Sequence, residues 1–146
     1  MAAGKDFFEE WMYQRMIDDS PVAVIVADAQ GNIRFWNTAA AEIFGHTDTE
    51  AIGRSLDLII PEPQRDRHWT GFHQVMRTGE TRYGRGLLAV PAVRKDGGRI
   101  SVEFHVVLLR DDGGSLVGIA AFLRDVTERW QRERAMAQRI RELAAS

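Results

Sequence analysis

The stretch SPVAVIVADAQGNIRFWNTAAAEIFGHTDTEAIGRSL, residues 20–56, decides the fold. It begins with two apolar runs of β-forming residues separated by the turn-forming segment 28–32, a pattern typical of a β-hairpin. Gly31 permits the positive φ that such a turn requires. Asn37 and Thr38 follow the second run, and both residue types cap helices well. The sequence therefore predicts a hairpin that leads directly into short helices.

The rest of the chain extends this pattern in both directions. Before it, residues 1–18 have helical periodicity that Ser20-Pro21 ends. After it come a longer helix over residues 62–77, which Thr78-Gly79 ends, and three β-rich runs separated by KDGG and DDGG, which are strong turn signals. A polar helix closes the chain. This order predicts an α+β fold, with a five-stranded antiparallel sheet and helices packed on one face. We divide it into a flanking helix (1–18), a central domain (19–127) and a terminal helix (128–146).

Composition excludes several classes of function. The chain has 146 residues, and its 19 basic and 21 acidic residues give a formal charge of −2, so no global charge favours nucleic acid. No apolar run is long enough for a membrane span, and the start lacks a signal-peptide pattern, so we expect a cytoplasmic protein. The absence of cysteine excludes disulfides and thiol chemistry. No catalytic motif is recognisable, so we expect no enzyme activity.

The segment EPQRDRHWTGFHQVM, residues 62–76, contains the most informative histidine. At 100° per residue, the helical wheel places His68 on the same apolar arc as Phe72 and Val75, whereas His73 lies beyond its edge. A histidine on an apolar arc is either a hydrogen-bonded residue at the rim of the core or a ligand for a metal or cofactor. The periodicity alone leaves both interpretations open.

Three segments in the expected order resemble the PAS family: residues 20–56, RKDGGRISVEF (94–104) and GIAAFLRDVTER (118–129). The resemblance covers about residues 19–127. It implies a sensor or signal-transduction module that dimerises through its flanking helices and controls an output domain outside this chain. Asp125 and Thr127 match the family's junction between the last strand and the output helix.

The segment IIPEPQRDRHWTGF, residues 59–72, resembles the heme-ligating helix of FixL-type oxygen sensors. The run from His68 to Gly97 is similar to the heme PAS domain of RcoM-type carbon-monoxide regulators. Both resemblances imply heme b, with His68 as the iron ligand and Phe72 beside it on the same helical face. They imply a diatomic gas (CO, O2 or NO) as the signal.

On the side of the pocket opposite His68, the sequence departs from both groups. Leu88 stands where FixL-type sensors have an arginine and RcoM-type proteins have a cysteine ligand. Phe104 and Val106 share one face of a strand and match apolar pocket positions. Arg82 and Tyr83 are candidates for contacts with the heme propionates. An apolar gas side implies that carbon monoxide binds more readily than oxygen.

Alternatives to heme are a flavin, another small apolar ligand, or no ligand. Without a ligand, the chain would be an interaction module that dimerises through its flanking helices. The amino-terminal stripe of Phe8, Trp11 and Met16 is expected to pack on this chain's own sheet or on a partner's sheet.

Overall fold

The computed structural model describes residues 3–81 and 88–146. Its helices and strands are α1 (Ala3–Asp18), β1 (Ala23–Asp28), β2 (Ile33–Trp36), α2 (Thr38–Phe44), α3 (Asp48–Ala51), α4 (Arg65–Thr78), β3 (Leu88–Val93), β4 (Arg99–Arg110), β5 (Leu116–Asp125) and α5 (Thr127–Ala145). Two 3₁₀ turns, Leu56–Ile59 and Glu62–Gln64, lie before α4. No helix in the described part of the chain is long and apolar enough to cross a membrane.

The five strands form one antiparallel sheet in the order β2-β1-β5-β4-β3. The hairpin β1–β2 lies at one side of the sheet and β3 at the opposite edge, so the chain between them crosses the sheet as α2, α3, the 3₁₀ turns and α4. Helices cover one face of the sheet. The α+β class and the five-stranded sheet predicted from the sequence are therefore confirmed.

The hydrophobic core lies between the inner face of the sheet and the short helices. Phe44 at the end of α2 and Ile33 in β2 are fully buried, and the rings of Phe44 and Trp36 pack at 5.6 Å. Each large apolar side chain buried in this way contributes roughly 1.5–3 kcal/mol relative to exposure. This part of the fold is therefore held by ordinary apolar packing.

The buried side chain of Asn37 connects three elements. Its Oδ1 accepts hydrogen bonds from the backbone N–H groups of Val24 in β1 (2.9 Å) and Ala40 in α2 (3.0 Å). Its Nδ2 donates to the carbonyl oxygens of Ile17 (2.9 Å) and Val22 (3.0 Å). Asn37 is the N-cap of α2, as its position after the hairpin indicated. The same amide also fixes the end of α1 against the sheet.

Two glycines adopt the positive φ expected of them. Gly31 in the β1–β2 turn has φ +82°, and Gly97 in the β3–β4 turn has φ +87°. Residues with a Cβ rarely adopt this conformation. The hairpin interpretation of both turn segments is therefore confirmed at the level of the backbone.

Helix α4 begins differently from the sequence prediction. Periodicity suggested one helix over residues 62–77, whereas the structure has a 3₁₀ turn at Glu62–Gln64 and begins α4 at Arg65. Pro63 lacks a backbone N–H and is favoured in a first turn rather than in a helix interior. The helix ends at Thr78 with Gly79 as its left-handed cap, as expected.

The apolar stripe of α1 is not buried on this chain's own sheet. Phe8, Trp11 and Met16 are 55%, 50% and 62% exposed. Packing of this stripe on a partner's sheet stays a prediction.

We expect Asn37→Ala to lower the free energy of unfolding by about 3 kcal/mol, because it removes a helix cap and leaves buried backbone groups unpaired. Urea denaturation followed by circular dichroism measures this loss. Asn32→Ala, the same substitution at an exposed turn residue, is the control and should change stability by less than about 0.5 kcal/mol. Equal losses in the two variants would contradict the role assigned to Asn37.

Candidate functional site

Asp57, in the 3₁₀ turn Leu56–Ile59, binds helix α4 through its carboxylate. The indole Nε1 of Trp69 donates to Asp57 Oδ1 at 2.7 Å. Arg65 Nε lies 3.8 Å from the same carboxylate oxygen and donates to the carbonyl of Ile60 at 3.1 Å. These bonds determine how the first two turns of α4 are rotated about the helix axis.

Packing of Trp69 on the β1–β2 turn fixes the same rotation. A Cβ on Gly31 would lie only 2.3 Å from the indole ring, so this close approach requires glycine. Gly31 therefore serves both the turn and the contact with α4. With Trp69 held in this way, the neighbouring His68 is directed away from solvent.

His68 is half-buried among aromatic rings on α4. Its ring lies 4.8 Å from that of Trp69, edge to face, and 6.0 Å from that of Phe72. Phe72 itself is buried, with 7% exposure. The structure thus brings together the two site residues that the sequence placed on this helix.

The imidazole of His68 has an unused polar atom. Its Nδ1 is buried and has no hydrogen-bond partner among the described residues. Burial lowers the pKa of His68 below its usual value of 6.5; the carboxylate of Asp57 acts in the opposite direction, and His73 adds to the lowering. The ring is therefore neutral at neutral pH. A neutral imidazole has a free nitrogen lone pair, which can bind a metal.

Strand β4 carries two of the apolar candidate residues. Phe104 is partly buried against the core, and Val106 is half-buried two residues further on the same face of the strand. The register pairs Phe104 with Leu123 and Val106 with Ala121 of β5.

The remaining candidate residues lie at or beyond the limit of what the structure describes. The backbone register pairs Leu88 with Phe104, but the side chain of Leu88 is not among those described. Arg82 and Tyr83 lie outside the described residues, so their contacts with a ligand stay predictions. His73 is exposed, and its ring stacks on that of Trp69 at 5.9 Å.

Three residues of the site were not identified from the sequence: Asp57, Trp69 and Gln64. The contacts of Asp57 and Trp69 depend on how a 3₁₀ turn, a hairpin and a helix meet, so no local pattern reveals them. Gln64 lies four residues before His68. This spacing places two side chains on the same face of a helix, so the sequence could have indicated that they are neighbours. Among the described residues, no group of three or more His, Asp or Glu side chains could hold a metal ion.

The carboxyl end of β5 and the neighbouring strand β4 are both bonded to the first turn of α5. The backbone N–H of Thr127 donates to Asp125 Oδ1 (2.9 Å), and the Thr127 hydroxyl oxygen accepts from the backbone N–H of Ser101 in β4 (2.9 Å). Arg129 of α5 forms an ion pair with Glu103 of β4. The strand that carries Phe104 is thus bonded directly to the first turn of the terminal helix.

A five-stranded antiparallel sheet with short helices on one face is a fold that a known family shares. The family model described as the PAS fold matches residues 12–126. The chain belongs to the PAS family. PAS domains are generally sensory rather than catalytic.

Known proteins similar to this chain agree with that membership. An uncharacterized protein of Azorhizobium caulinodans is 43% identical over 122 residues, covering 83% of this chain and 16% of the relative. The sensor protein FixL of Bradyrhizobium diazoefficiens is 32% identical over 124 residues, covering 84% of this chain and 24% of the relative. The chain therefore spans less than a quarter of the length of these relatives.

A solved structure supports the fold. The crystal structure of the PAS domain of a protein from Colwellia psychrerythraea superposes with a TM-score of 0.72 at 20% sequence identity. The match covers 82% of this chain and 98% of that one. At this level of identity, the likeness concerns the fold alone.

We expect the ligand-free protein to lose stability as the pH falls below about 6.5, because the unfolded chain then binds a proton that folded His68 resists. The slope from one such group is at most about 1.4 kcal/mol per pH unit. His68→Gln should reduce this slope. It should not abolish it, because burial also lowers the pKa of His46.

Urea denaturation at a series of pH values from 7.5 to about 5 checks this linkage. His73→Gln, which removes an exposed imidazole from the same helix, is the control and should keep most of the slope. A His68→Gln profile that runs parallel to the wild-type profile would show that the folded protein does not resist protonation of His68.

Proposed function

We propose that this chain is a heme-binding PAS sensor module that detects a diatomic gas, with His68 as the axial ligand of the iron. The observation that carries the proposal is the half-buried, neutral imidazole of His68, which helix α4 holds beside the rings of Trp69 and Phe72. A neutral imidazole has a free nitrogen lone pair, which can bind iron. The 32% identity with a FixL sensor protein supports the same ligand.

The residues predicted for the pocket have the chemistry that heme b requires. A heme pocket requires one strong donor on a rigid element and apolar walls on both sides of the porphyrin. His68 would supply the donor, while Phe72 on the helix and Phe104 and Val106 on β4 would supply apolar surface. Arg82 and Tyr83 would hold the propionates. Bound heme supplies an iron that can bind a gas.

The bonds between sheet and terminal helix suggest how a signal would leave the pocket. Alternation along β4 places Phe104 and Val106 on the inner face and Glu103 on the outer face. Since Glu103 pairs with Arg129, a shift of β4 would also move the first turn of α5. An output domain following α5 would then receive the signal.

The exposed stripe on α1 supports dimerisation through the flanking helices. Phe7, Phe8, Trp11 and Met16 are all at least half exposed, although large apolar side chains clustered on a surface usually mark an interface. The outer face of the sheet also exposes Val107. We place the α1 stripe of one copy on the sheet of another.

The decisive experiment for the ligand is the absorption spectrum of protein reconstituted with hemin. The wild type should show the Soret band of a ligated heme. His68→Ala should lower heme affinity by more than about tenfold, because removing a coordinating group costs more than removing its supporting residues. His73→Ala is the matched control and should leave the spectrum nearly unchanged.

Other spectra would favour the alternatives. A flavin spectrum in protein purified from cells would identify the rival cofactor, and a colourless reconstituted protein would favour an interaction module without heme. Coordination that survives His68→Ala, or is lost only in His73→Ala, would show that the ligand has been assigned to the wrong residue.

The dimer is tested by sedimentation equilibrium of Phe8→Ser/Trp11→Ser. This variant should weaken dimerisation by at least tenfold, because it removes two large apolar side chains from the interface, whereas Gln14→Ser on the same helix should not. Point substitutions are preferable to deleting α1, since Asn37 uses the carbonyl of Ile17. A dimer equally strong in all three proteins would remove α1 from the interface.

A further inference from the structure

Two buried polar atoms near the start of α4 lack hydrogen-bond partners: Nδ1 of His68 and Oε1 of Gln64. Gln64 has helical dihedral angles, φ −97° and ψ −5°, so the two residues stand in an i, i+4 relation. Side chains at this spacing are neighbours on one face of a helix. The two unsatisfied atoms therefore lie one turn apart on the same side.

These atoms are complementary in chemistry. The amide oxygen of glutamine can only accept a hydrogen bond, and the Nδ1 of a neutral histidine donates one when it carries the ring proton. Each buried atom left unpaired costs about 1–3 kcal/mol. One hydrogen bond between these two atoms would satisfy both.

The other side chains that act electrostatically on His68 are Asp57 and His73. The Oδ1 of Asp57 accepts the indole proton of Trp69 and faces the guanidinium of Arg65. His73 is exposed. Among the described residues, Gln64 is the one whose buried side-chain acceptor has no hydrogen-bond partner.

We propose that Gln64 is a positioning residue for His68. Its Oε1 accepts the proton on Nδ1, which fixes the tautomer and leaves the lone pair on Nε2 directed at the pocket. This inference rests on the proposed function for what Nε2 binds, but the tautomer is a property of the ligand-free chain. Histidines that bind metals commonly donate their other N–H to such an acceptor, which orients the ring and raises its basicity.

The first test uses ligand-free protein and nitrogen-15 NMR of the His68 ring. The wild type should hold predominantly the tautomer with the proton on Nδ1. Gln64→Leu should lose this preference, and Gln64→Glu, which keeps an acceptor oxygen, should retain it. Gln74→Leu, the same substitution at an exposed position of α4, is the control. A wild-type ring protonated on Nε2, or a tautomer unchanged by Gln64→Leu, would overturn the proposal.

The second test uses the ferrous heme-loaded protein and the iron–histidine stretching frequency from resonance Raman spectra. A hydrogen bond to Nδ1–H strengthens the donor, so the frequency should fall in Gln64→Leu and rise in Gln64→Glu. Unchanged frequencies would count against Gln64. If wild-type protein binds no heme but shows the Gln64-dependent tautomer, the proposed function fails while the role of Gln64 stands.

Discussion

The placement of helix α4 depends on the carboxylate of Asp57. It accepts the indole proton of Trp69 at 2.7 Å and faces Arg65 at 3.8 Å, so one side chain holds two successive turns of the helix. Since the ring of Trp69 also rests on Gly31, rotation of α4 would break a hydrogen bond and open a packed contact together. This constraint keeps His68 turned inward, and the candidate site exists only because of it.

The two halves of the molecule are held in different ways. Around the β1–β2 hairpin, buried apolar side chains pack closely, and Asn37 makes four hydrogen bonds to three segments of the chain. Helix α4 has one buried apolar residue, Phe72; polar contacts hold its first two turns through Asp57 and its C-cap Gly79 through Arg110 of β4. Segments with few buried contacts open at lower free energy than the rest of a domain. The part of the chain that would hold a ligand is therefore the part that can adjust to one.

Local sequence signals predicted the features that depend on neighbouring residues. Gly31 and Gly97 marked turns because only glycine enters positive φ easily, and Asn37 marked a helix start. The wheel correctly separated half-buried His68 from exposed His73. The start of α4 was predicted three residues early, because helical periodicity does not register that Pro63 favours a 3₁₀ turn. The stripe on α1 showed that an apolar surface exists, but periodicity carries no information about which chain covers it.

The alternation of side chains along β4 is the physical basis of the proposed connection between the pocket and an output domain. Consecutive residues of a strand point to opposite faces, so Glu103 and Phe104 cannot move independently although one faces α5 and the other faces the core. Thr127 is bonded to the same strand through Ser101, which leaves the first turn of α5 attached at two points. A ligand that displaced Phe104 would therefore act on both attachments of α5.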